Sequence, residues 1–167
     1  ERALLNLEIL PVQEPFIPYA LNDIAILKHD ISSMISIHAK VDGTPLTTYM
    51  ADGLVIATPT GYGNSLSVGG PIITPGAGVI SLTPVAPHSL TTRPLILRSH
   101  QTVTLSVESR SNNFLVSVDG RSFSCPQNVT MNISQAPFSL KVMRPAGSNF
   151  YSTLREKMMW GADSGNR

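Results

Sequence analysis

The sequence predicts a mainly β protein, a layered β-sandwich-like domain that ends in a C-terminal amphipathic helix. Three observations support this prediction. Several runs alternate apolar and polar side chains with a period of two, as a half-buried strand requires. Other short apolar runs are bounded by proline and glycine, of which the 167 residues contain 13 and 12. Only the end of the chain changes to a helical period. Many short strands at close spacing are typical of a sandwich.

The strands of the first hundred residues are of two kinds. Strict alternation is clearest in residues 34–42, and the Asp-Gly-Thr at 42–44 that ends this run predicts a hairpin turn. Residues 54–57, 79–82 and 95–97 are instead continuous apolar runs between prolines and glycines. Such runs predict strands that are buried on both faces.

The second half of the chain continues the β pattern. Residues 101–108 alternate, and the polar residues 109–113 separate them from a second alternating run at 114–118. Two such runs joined by a short polar loop predict a β-hairpin. Residues 129–133 predict one more strand, and residues 139–143 predict the next.

The last part of the chain changes period. Phe150, Leu154 and Met158 are spaced at i, i+4 and i+8, which predicts an amphipathic helix. Ser148 is predicted to be its N-cap, and Gly161 the residue that follows its end. The apolar stripe of this helix requires a partner, either the sandwich or a further domain.

The length fits one domain with a short appendage, at roughly 150 residues per domain. We divide the chain into a β-rich domain, residues 1–147, and a C-terminal helix and tail, residues 148–167. The chain begins with Glu1 rather than methionine. We therefore interpret it as a fragment or a processed product.

Composition excludes several classes of protein. The net charge is only +1, so the chain lacks the excess of positive charge that proteins use to bind a nucleic-acid backbone. The single cysteine, Cys125, cannot form an internal disulfide, so a disulfide-stapled scaffold is excluded. No apolar run approaches the roughly 20 residues that span a bilayer. The four histidines lack the close paired spacings of a zinc site, so no metal site is predicted. We expect a cytoplasmic protein.

Two stretches carry polar groups suited to ligand binding. Residues 58–71 form a loop rich in threonine, serine and glycine, whose hydroxyl and backbone N–H groups could hold a phosphate or ribose. A tight turn that only needs positive φ is the alternative interpretation. Asn22 and Asp23 precede a strand and could accept ribose hydroxyls, although such pairs often cap strands. Asp52 precedes glycine, which is typical of a turn.

Taken in order, these motifs resemble the NAD kinase family, and the resemblance covers nearly the whole chain. The stretches that carry it are Ala-Leu-Asn-Asp at 20–23, Asp-Gly-Leu at 52–54, Thr-Pro-Thr-Gly at 58–61, Ser-Leu-Ser-Val-Gly-Gly-Pro at 65–71, Thr-Pro-Val-Ala-Pro-His-Ser-Leu at 83–90, Arg-Pro-Leu at 93–95 and Asn-Phe-Tyr-Ser-Thr-Leu-Arg-Glu-Lys at 149–157.

The resemblance implies an enzyme that phosphorylates the adenosine 2′-hydroxyl of NAD to give NADP. The donor would be ATP or polyphosphate, with Mg²⁺ or another divalent cation. The family places its general-base aspartate in a Gly-Gly-Asp-Gly-Thr motif of an N-terminal α/β domain, and this sequence lacks that motif. The chain is therefore similar to the C-terminal β-rich domain, with no catalytic residue of its own and no expected turnover alone. Family members form dimers or tetramers, which implies a homo-oligomer.

The resemblance also implies roles for particular residues. It places Asn22 and Asp23 against the adenine and ribose of NAD, and Asp52 near the nicotinamide end, often across a subunit interface. Relatives read Gly-Ser-Thr-Ala-Tyr-Ser-Leu-Ser where residues 61–67 read Gly-Tyr-Gly-Asn-Ser-Leu-Ser, one residue shorter. The remaining predicted NAD-binding residues are Met50, Tyr62, Gly63, Asn64, Ser65, Leu66, Ser67 and Arg121.

Two other functions stay open at this point. The chain could be the β-domain of a diacylglycerol-type lipid kinase relative, although that function would need an apolar acyl groove. It could also be a non-catalytic extracellular β-sandwich binding module. The sequons at 128–130 and 132–134 favour the module, whereas the lone cysteine counts against it.

Overall fold

Two antiparallel sheets face each other in the computed structural model, which describes residues 1–31 and 33–159. The strands of these residues are followed or interrupted by two helices and one 3₁₀ turn. Their bounds are β1 Arg2–Leu10, β2 Tyr19–Ala20, β3 Asp23–Lys28, β4 Ile35–Val41, β5 Thr44–Ala51, β6 Gly53–Ala57, the 3₁₀ turn Pro59–Gly61, α1 Tyr62–Ser67, β7 Val79–Val85, β8 Leu95–Arg98, β9 Val103–Glu108, β10 Asn113–Val118, β11 Arg121–Pro126, β12 Thr130–Leu140 and α2 Phe150–Met158.

Each sheet has six strands. The first sheet has the order β2-β1-β12-β9-β4-β5, and the second has the order β11-β10-β3-β6-β7-β8. The described strands pair antiparallel throughout. A layered β sandwich with a C-terminal helix is therefore confirmed.

The core lies between the two sheets and follows from the alternation. Ile35 and Ile37 of β4 are buried, whereas the alternate residues Ser36 and His38 remain partly exposed. The facing sheet contributes Ile24 and Ile26 among others, both fully buried. Burying a side chain of this size contributes about 1.5–3 kcal/mol. The period-two prediction for residues 34–42 and 101–108 is thus confirmed by β4 and β9.

Strand β6 is buried on both faces, as its continuous apolar run predicts. One face of β6 belongs to the main core. On the other face, Val55 and Ala57 pack with Ala25 of the neighbouring β3 and with Val68, which follows α1. The loop after β6 therefore folds back over the outer face of the second sheet, at its two central strands.

The predicted turn at 42–44 is confirmed. Asp42 and Gly43 have φ of 49° and 79° and connect β4 to β5. Glycine adopts this left-handed region without cost, and aspartate tolerates it better than most residues. The Asp42 carboxylate also accepts the backbone N–H of Thr102 at 2.8 Å. That hydrogen bond is the largest of the effects that lower the pKa of Asp42.

The predicted hairpin between residues 101–108 and 114–118 is wrong. Strand β9 pairs with β4 and β12 in the first sheet, whereas β10 pairs with β3 and β11 in the second. The polar loop between them therefore crosses from one sheet to the other. A short polar loop is compatible with both connections, because the alternation of a strand does not tell which sheet it joins.

Two further strand predictions need correction. Residues 139–143 do not form a separate strand, since β12 runs without a break from Thr130 to Leu140. Residues 95–97 do form part of β8, but not a strand buried on both faces. Strand β8 lies at the edge of the second sheet, and Ile96 is 44% exposed.

Two long strands were not predicted. Strand β1 carries a clear alternation in Leu5, Leu7 and Ile9, all buried, so the signal was present in the sequence. Strand β5 is different, because residues 44–48 are exposed on both faces. Only Tyr49 and Ala51 at its end are buried, and a stretch that buries neither face leaves no hydrophobic period to recognise.

Helix α2 begins later than predicted. Its N-cap is Asn149, whose side chain accepts the backbone N–H of Ser152 at 2.9 Å. Ser148 instead donates its hydroxyl hydrogen to the carbonyl of Pro145 at 2.8 Å. Gly161 lies outside the described residues. Neither helix of the described chain is long and apolar enough to cross a membrane.

Candidate functional site

The predicted Asn22–Asp23 pair lies where two central strands of the second sheet meet. Asp23 begins β3 and pairs with Ala57, the last residue of β6. The next residue, Thr58, therefore lies beside Asn22, and its backbone N–H donates to the Asn22 carbonyl at 2.9 Å. The antiparallel register thus brings residues 22–23 and the loop 58–71 to one corner of the sandwich.

The turn between β10 and β11 closes this corner. Asp119 and Gly120 have φ of 49° and 80°. The Asp119 carboxylate accepts three backbone N–H groups, from Leu21 at 2.7 Å, Asn22 at 2.8 Å and Asp23 at 3.1 Å. In return, the Asp119 N–H donates to the Asp23 carbonyl at 3.0 Å. The backbone of Asn22 and Asp23 is thereby held from both sides.

Thr58 ties the following loop to the same segment. It is buried, and its hydroxyl donates to the Leu21 carbonyl at 2.5 Å and accepts the N–H of Gly61 at 3.3 Å. A Cβ at Gly61 would overlap the carbonyl of Asn22, although Gly61 itself has an ordinary negative φ. Glycine is thus required here for close approach. The interpretation as a turn that only needs positive φ does not describe Gly61.

A pair of buried hydroxyl groups anchors helix α1 to strand β7. Ser65 is fully buried, and its Oγ lies 3.1 Å from Oγ1 of the buried Thr83 on β7. The Ser65 carbonyl accepts the N–H of Gly70 at 2.7 Å, and a Cβ at Gly70 would collide with the Ser65 hydroxyl. Ser65 therefore anchors the loop, whereas Gly63 and Ser67 of the same helix are exposed.

Tyr62 connects this corner to the C-terminal helix. Its ring meets that of Phe150 edge to face, with centroids 5.8 Å apart. Such pairs are worth about 0.5–1.5 kcal/mol beyond the area they bury. Helix α2 also buries Leu154. The apolar stripe of α2 therefore finds part of its partner on the sandwich, beside the loop that follows β6.

Arg121 lies two residues after Asp119, at the start of β11. Its guanidinium donates to the Tyr19 carbonyl at 3.1 Å, and the side chain is exposed. The Asn22 side chain is only partly buried, and it forms no hydrogen bond with another described residue. Two side chains with free hydrogen-bonding capacity therefore border the segment that Asp119 holds.

Asp52 and Met50 lie elsewhere. Asp52 precedes β6, whereas Thr58 follows it, which separates them by about 20 Å at roughly 3.3 Å per residue. Asp52 forms an ion pair with Lys28 at 3.1 Å, and the Met50 carbonyl accepts the N–H of His88 at 2.8 Å. The structure thus brings together the predicted residues 22–23, 62–67 and 121. It leaves Asp52 at the opposite end of β6 and Met50 on β5 of the first sheet.

Three residues of the corner were missed by the sequence interpretation. Asp119 directly follows the alternating run at 114–118, and its Asp-Gly step predicts a turn. Nothing in the local sequence links that turn to residue 22. Thr58 and Thr83 belong to the motifs quoted above, but their buried hydroxyls become informative only when their partners are known.

Cys125 belongs to the core rather than to this corner. It is 1% exposed and packs in the core, where burial raises the pKa of its thiol to about 11. A buried free cysteine of this kind packs as a small apolar residue. Within the described ranges, no group of three or more His, Cys, Asp or Glu side chains could hold a metal ion.

The fold and the corner define a mainly β sandwich domain with a polar site whose backbone is held by hydrogen bonds to Asp119. The family described as ATP-NAD kinase C-terminal domain matches residues 21–145. Because this match covers most of the chain, the chain belongs to that family. The lipid-kinase and extracellular-module alternatives find no support in these comparisons.

Curated relatives agree with this family. The chain is 57% identical to an NAD kinase of Bacteroides fragilis over 148 residues, which cover 88% of this chain and 51% of the relative. It is 40% identical to an NAD kinase of Christiangramia forsetii over 168 residues, covering 99% of this chain and 57% of the relative. The chain thus spans about half the length of the curated relatives it matches.

Solved structures share the fold. A crystal structure of yeast NADH kinase complexed with NADH matches with a TM-score of 0.84 at 24% identity, covering 99% of this chain and 51% of that one. An NAD kinase from Archaeoglobus fulgidus in complex with ATP matches with a TM-score of 0.69 at 24% identity, covering 83% and 53%. At this identity the likeness concerns the architecture alone.

Proposed function

We propose that this chain is the NAD-binding and oligomerisation domain of an NAD kinase. The intact enzyme transfers a phosphoryl group from ATP or polyphosphate to the adenosine 2′-hydroxyl of NAD in the cytoplasm, and it forms a homo-oligomer. Family membership supports this activity. The observation that carries the binding role is the Asn22–Asp23 segment, held by three hydrogen bonds to Asp119 beside the loop of Thr58 and Gly61.

In this mechanism the chain binds and orients the dinucleotide. Asn22 offers a side-chain amide without a described partner, which suits the edge of an adenine or a ribose hydroxyl. The exposed residues Gly63 and Ser67 and the guanidinium of Arg121 border the same corner. A backbone that cannot shift keeps the 2′-hydroxyl in place, and positioning is the main contribution to phosphoryl transfer.

The proton of the 2′-hydroxyl is not assigned to a base in this chain. The family's Gly-Gly-Asp-Gly-Thr motif is absent from its sequence, so the base is proposed to come from the N-terminal domain of the intact enzyme. A divalent cation would neutralise the phosphates of the donor. The described residues contain no cluster of carboxylates that fits such an ion, so no ligand in this chain is assigned to it.

Asp52 and Met50 require a different arrangement. Asp52 lies about 20 Å along β6 from the corner, at roughly 3.3 Å per residue, and Met50 lies on β5 of the first sheet. We assign them to the nicotinamide end of a dinucleotide that is held mainly by a second copy of the chain. This assignment links oligomerisation to binding, because one copy would then supply only part of each site.

Isothermal titration of NAD and NADP into the 167-residue chain tests the proposed binding role. We expect binding that Asn22→Ala weakens at least tenfold, which corresponds to about 1.4 kcal/mol. Asn128→Ala is the matched control, since residue 128 lies on the link between β11 and β12. The NAD affinity of this control variant should equal that of the wild type. Equal affinities of wild type and Asn22→Ala for NAD would contradict the assignment.

A further inference from the structure

A cavity with mainly apolar walls and two arginines lies next to the corner, between the start of β1, the 3₁₀ turn and helix α2. Its volume is about 150 Å³, which is room for a group much larger than one water. Arg2 and Arg144 line it from two distant parts of the chain. Its other walls include Thr60, Tyr62, Phe150 and Thr153.

The charge of this cavity is unbalanced. A guanidinium stays protonated at every physiological pH, so Arg2 and Arg144 place two positive charges around one small space. Glu1 lines a neighbouring cavity together with both arginines, but no carboxylate of the described residues forms an ion pair with either of them. By contrast, Lys28 has Asp52 as its partner at 3.1 Å. Arg2 is partly exposed and Arg144 is exposed, so water screens their mutual repulsion, and an anion between them would be attracted by both charges.

The remaining walls suit a phosphate chain. The Thr60 hydroxyl forms no hydrogen bond with another described residue, so its O–H is available to donate to a phosphate oxygen. The Thr153 hydroxyl already donates to the Asn149 carbonyl at 3.2 Å. The edge-to-face pair of Tyr62 and Phe150 forms an apolar wall of the cavity. Guanidinium groups bind phosphate oxygens through two parallel hydrogen bonds, and a hydroxyl adds a further donor.

The position of the cavity indicates which phosphates it would bind. Thr60 adjoins Gly61, which is packed against the Asn22 carbonyl. The cavity and the proposed adenosine site therefore share one short turn as a common wall. A phosphoryl donor has to lie beside the acceptor hydroxyl, in line with it.

We propose that the Arg2–Arg144 cavity binds the phosphate chain of the phosphoryl donor, the chemistry that ATP and inorganic polyphosphate share. The assignment rests on the proposed function, because it needs the acceptor ribose at the Asn22 corner. It gives the C-terminal domain a part in donor binding as well as in binding NAD.

The test is a pair of titrations on the 167-residue chain at constant ionic strength, one with inorganic tripolyphosphate and one with NAD. The variant is Arg2→Gln with Arg144→Gln, and the control is Lys40→Gln with Arg110→Gln, which removes the same charge from exposed positions elsewhere. Thermal melting followed by circular dichroism identifies a variant that fails to fold. Each single variant, Arg2→Gln or Arg144→Gln, then replaces the double one.

We expect tripolyphosphate to bind wild type and control equally, and the variant at least tenfold more weakly, while NAD affinity changes less than twofold. Equal tripolyphosphate affinity in variant and control, or no binding to wild type, would overturn the assignment. A parallel loss of NAD affinity would also overturn it, since the arginines would then hold the NAD pyrophosphate. If NAD does not bind but tripolyphosphate does, the result counts against the proposed function and not against the cavity. The cavity is then tested by the tripolyphosphate titrations alone.

A third titration separates the two sources of the phosphate chain. ATP that binds at least tenfold more tightly than tripolyphosphate, and loses that affinity in the arginine variant, would identify a nucleotide donor. Equal affinities for ATP and tripolyphosphate would identify a cavity that recognises the phosphates alone. Both results support the cavity as a donor site.

Discussion

Oδ1 of Asp119 accepts the backbone N–H of Asn22 at 2.8 Å, although 97 positions separate the two residues. The same oxygen accepts the N–H of Asp23, and the second oxygen accepts that of Leu21. A hairpin turn of the second sheet therefore determines the backbone geometry of the proposed adenosine site. Asp119 acts as a positioning residue, since it holds the segment that would contact the ligand.

Replacing Asp119 with alanine should lower both stability and NAD affinity. Three backbone N–H groups would lose their acceptor, and unsatisfied groups of this kind cost about 1–3 kcal/mol each when buried. Because the site is only partly buried, we expect a total loss of about 2–4 kcal/mol. Urea unfolding and isothermal titration with NAD measure the two effects.

Asp42→Ala is the matched control for this prediction. Asp42 also has φ of 49° in an Asp-Gly hairpin turn, and its carboxylate also accepts a backbone N–H, that of Thr102. It lies at the turn between β4 and β5 of the first sheet. We expect Asp42→Ala to leave NAD affinity within twofold. If both variants weakened NAD binding equally, Asp119 would have no specific positioning role.

Gly61→Ala should destabilise the domain strongly, whereas Gly63→Ala should not. A Cβ at Gly61 would overlap the Asn22 carbonyl, so the turn or the Asn22 segment would have to move. Overpacking of this kind costs about 1–3 kcal/mol. At Gly63, which lies in α1, a Cβ meets nothing within 4 Å, and alanine favours helix by about 1 kcal/mol. Thermal unfolding of the two variants measures the contrast, and equal melting temperatures would refute it.

Asp52→Ala should weaken NAD binding while it changes the stability of the fold very little. The ion pair with Lys28 is partly exposed, at 34% for Asp52 and 25% for Lys28, so its loss should cost less than about 1 kcal/mol. If Asp52 contacts the nicotinamide end, NAD affinity should fall at least fivefold while ADP affinity is unchanged. Lys28→Ala is the control, because it breaks the same pair and leaves the carboxylate. Equal losses of NAD affinity in both variants would show that the pair acts only through structure.

Cys125 should resist thiol reagents in the folded protein. Burial raises the pKa of its thiol to about 11, so almost none of it is thiolate at pH 8. In the unfolded chain the pKa returns to about 8.5 and the thiol becomes accessible. The sign of the pH dependence follows: folding loses stability as pH rises above about 8.5, because only the unfolded state then releases the proton. Ellman's reagent with and without urea measures the contrast, and rapid labelling of the folded chain would contradict it.

The proposed oligomer should be detectable with the chain itself. Strand β5 lies at the edge of the first sheet, exposed on both faces over residues 44–48, and an open edge can pair with another chain. Light scattering after size exclusion should give at least twice the 18.0 kDa of one chain. Leu46→Lys should shift the mass downwards, and Val12→Lys, at a position 85% exposed outside the sheets, should not. A wild-type monomer would contradict the oligomer.

Strands that bury one face can be recognised in the amino-acid sequence without the fold. The alternation in β4 and β9 and the apolar run in β6 are direct consequences of burial, so they can be read without the fold. The Asp-Gly turn at residues 42–43 was predictable too, because few residues adopt the positive φ that it needs. The order of the sequence motifs identified the family, which the match over residues 21–145 confirms.

How these elements meet depends on the packing of the whole domain and cannot be read from local patterns. The loop after β9 crosses to the other sheet because β10 completes its hydrogen bonds with β3, a choice that no local pattern contains. Asp119 reaches Asn22, and Arg2 reaches the cavity of Arg144, through strand order alone. Local propensity acts over a few residues, whereas pairing between distant strands is selected by the packing of the whole core. For that reason the strands were predictable from the sequence, and the contacts that build the corner and its neighbouring cavity were not.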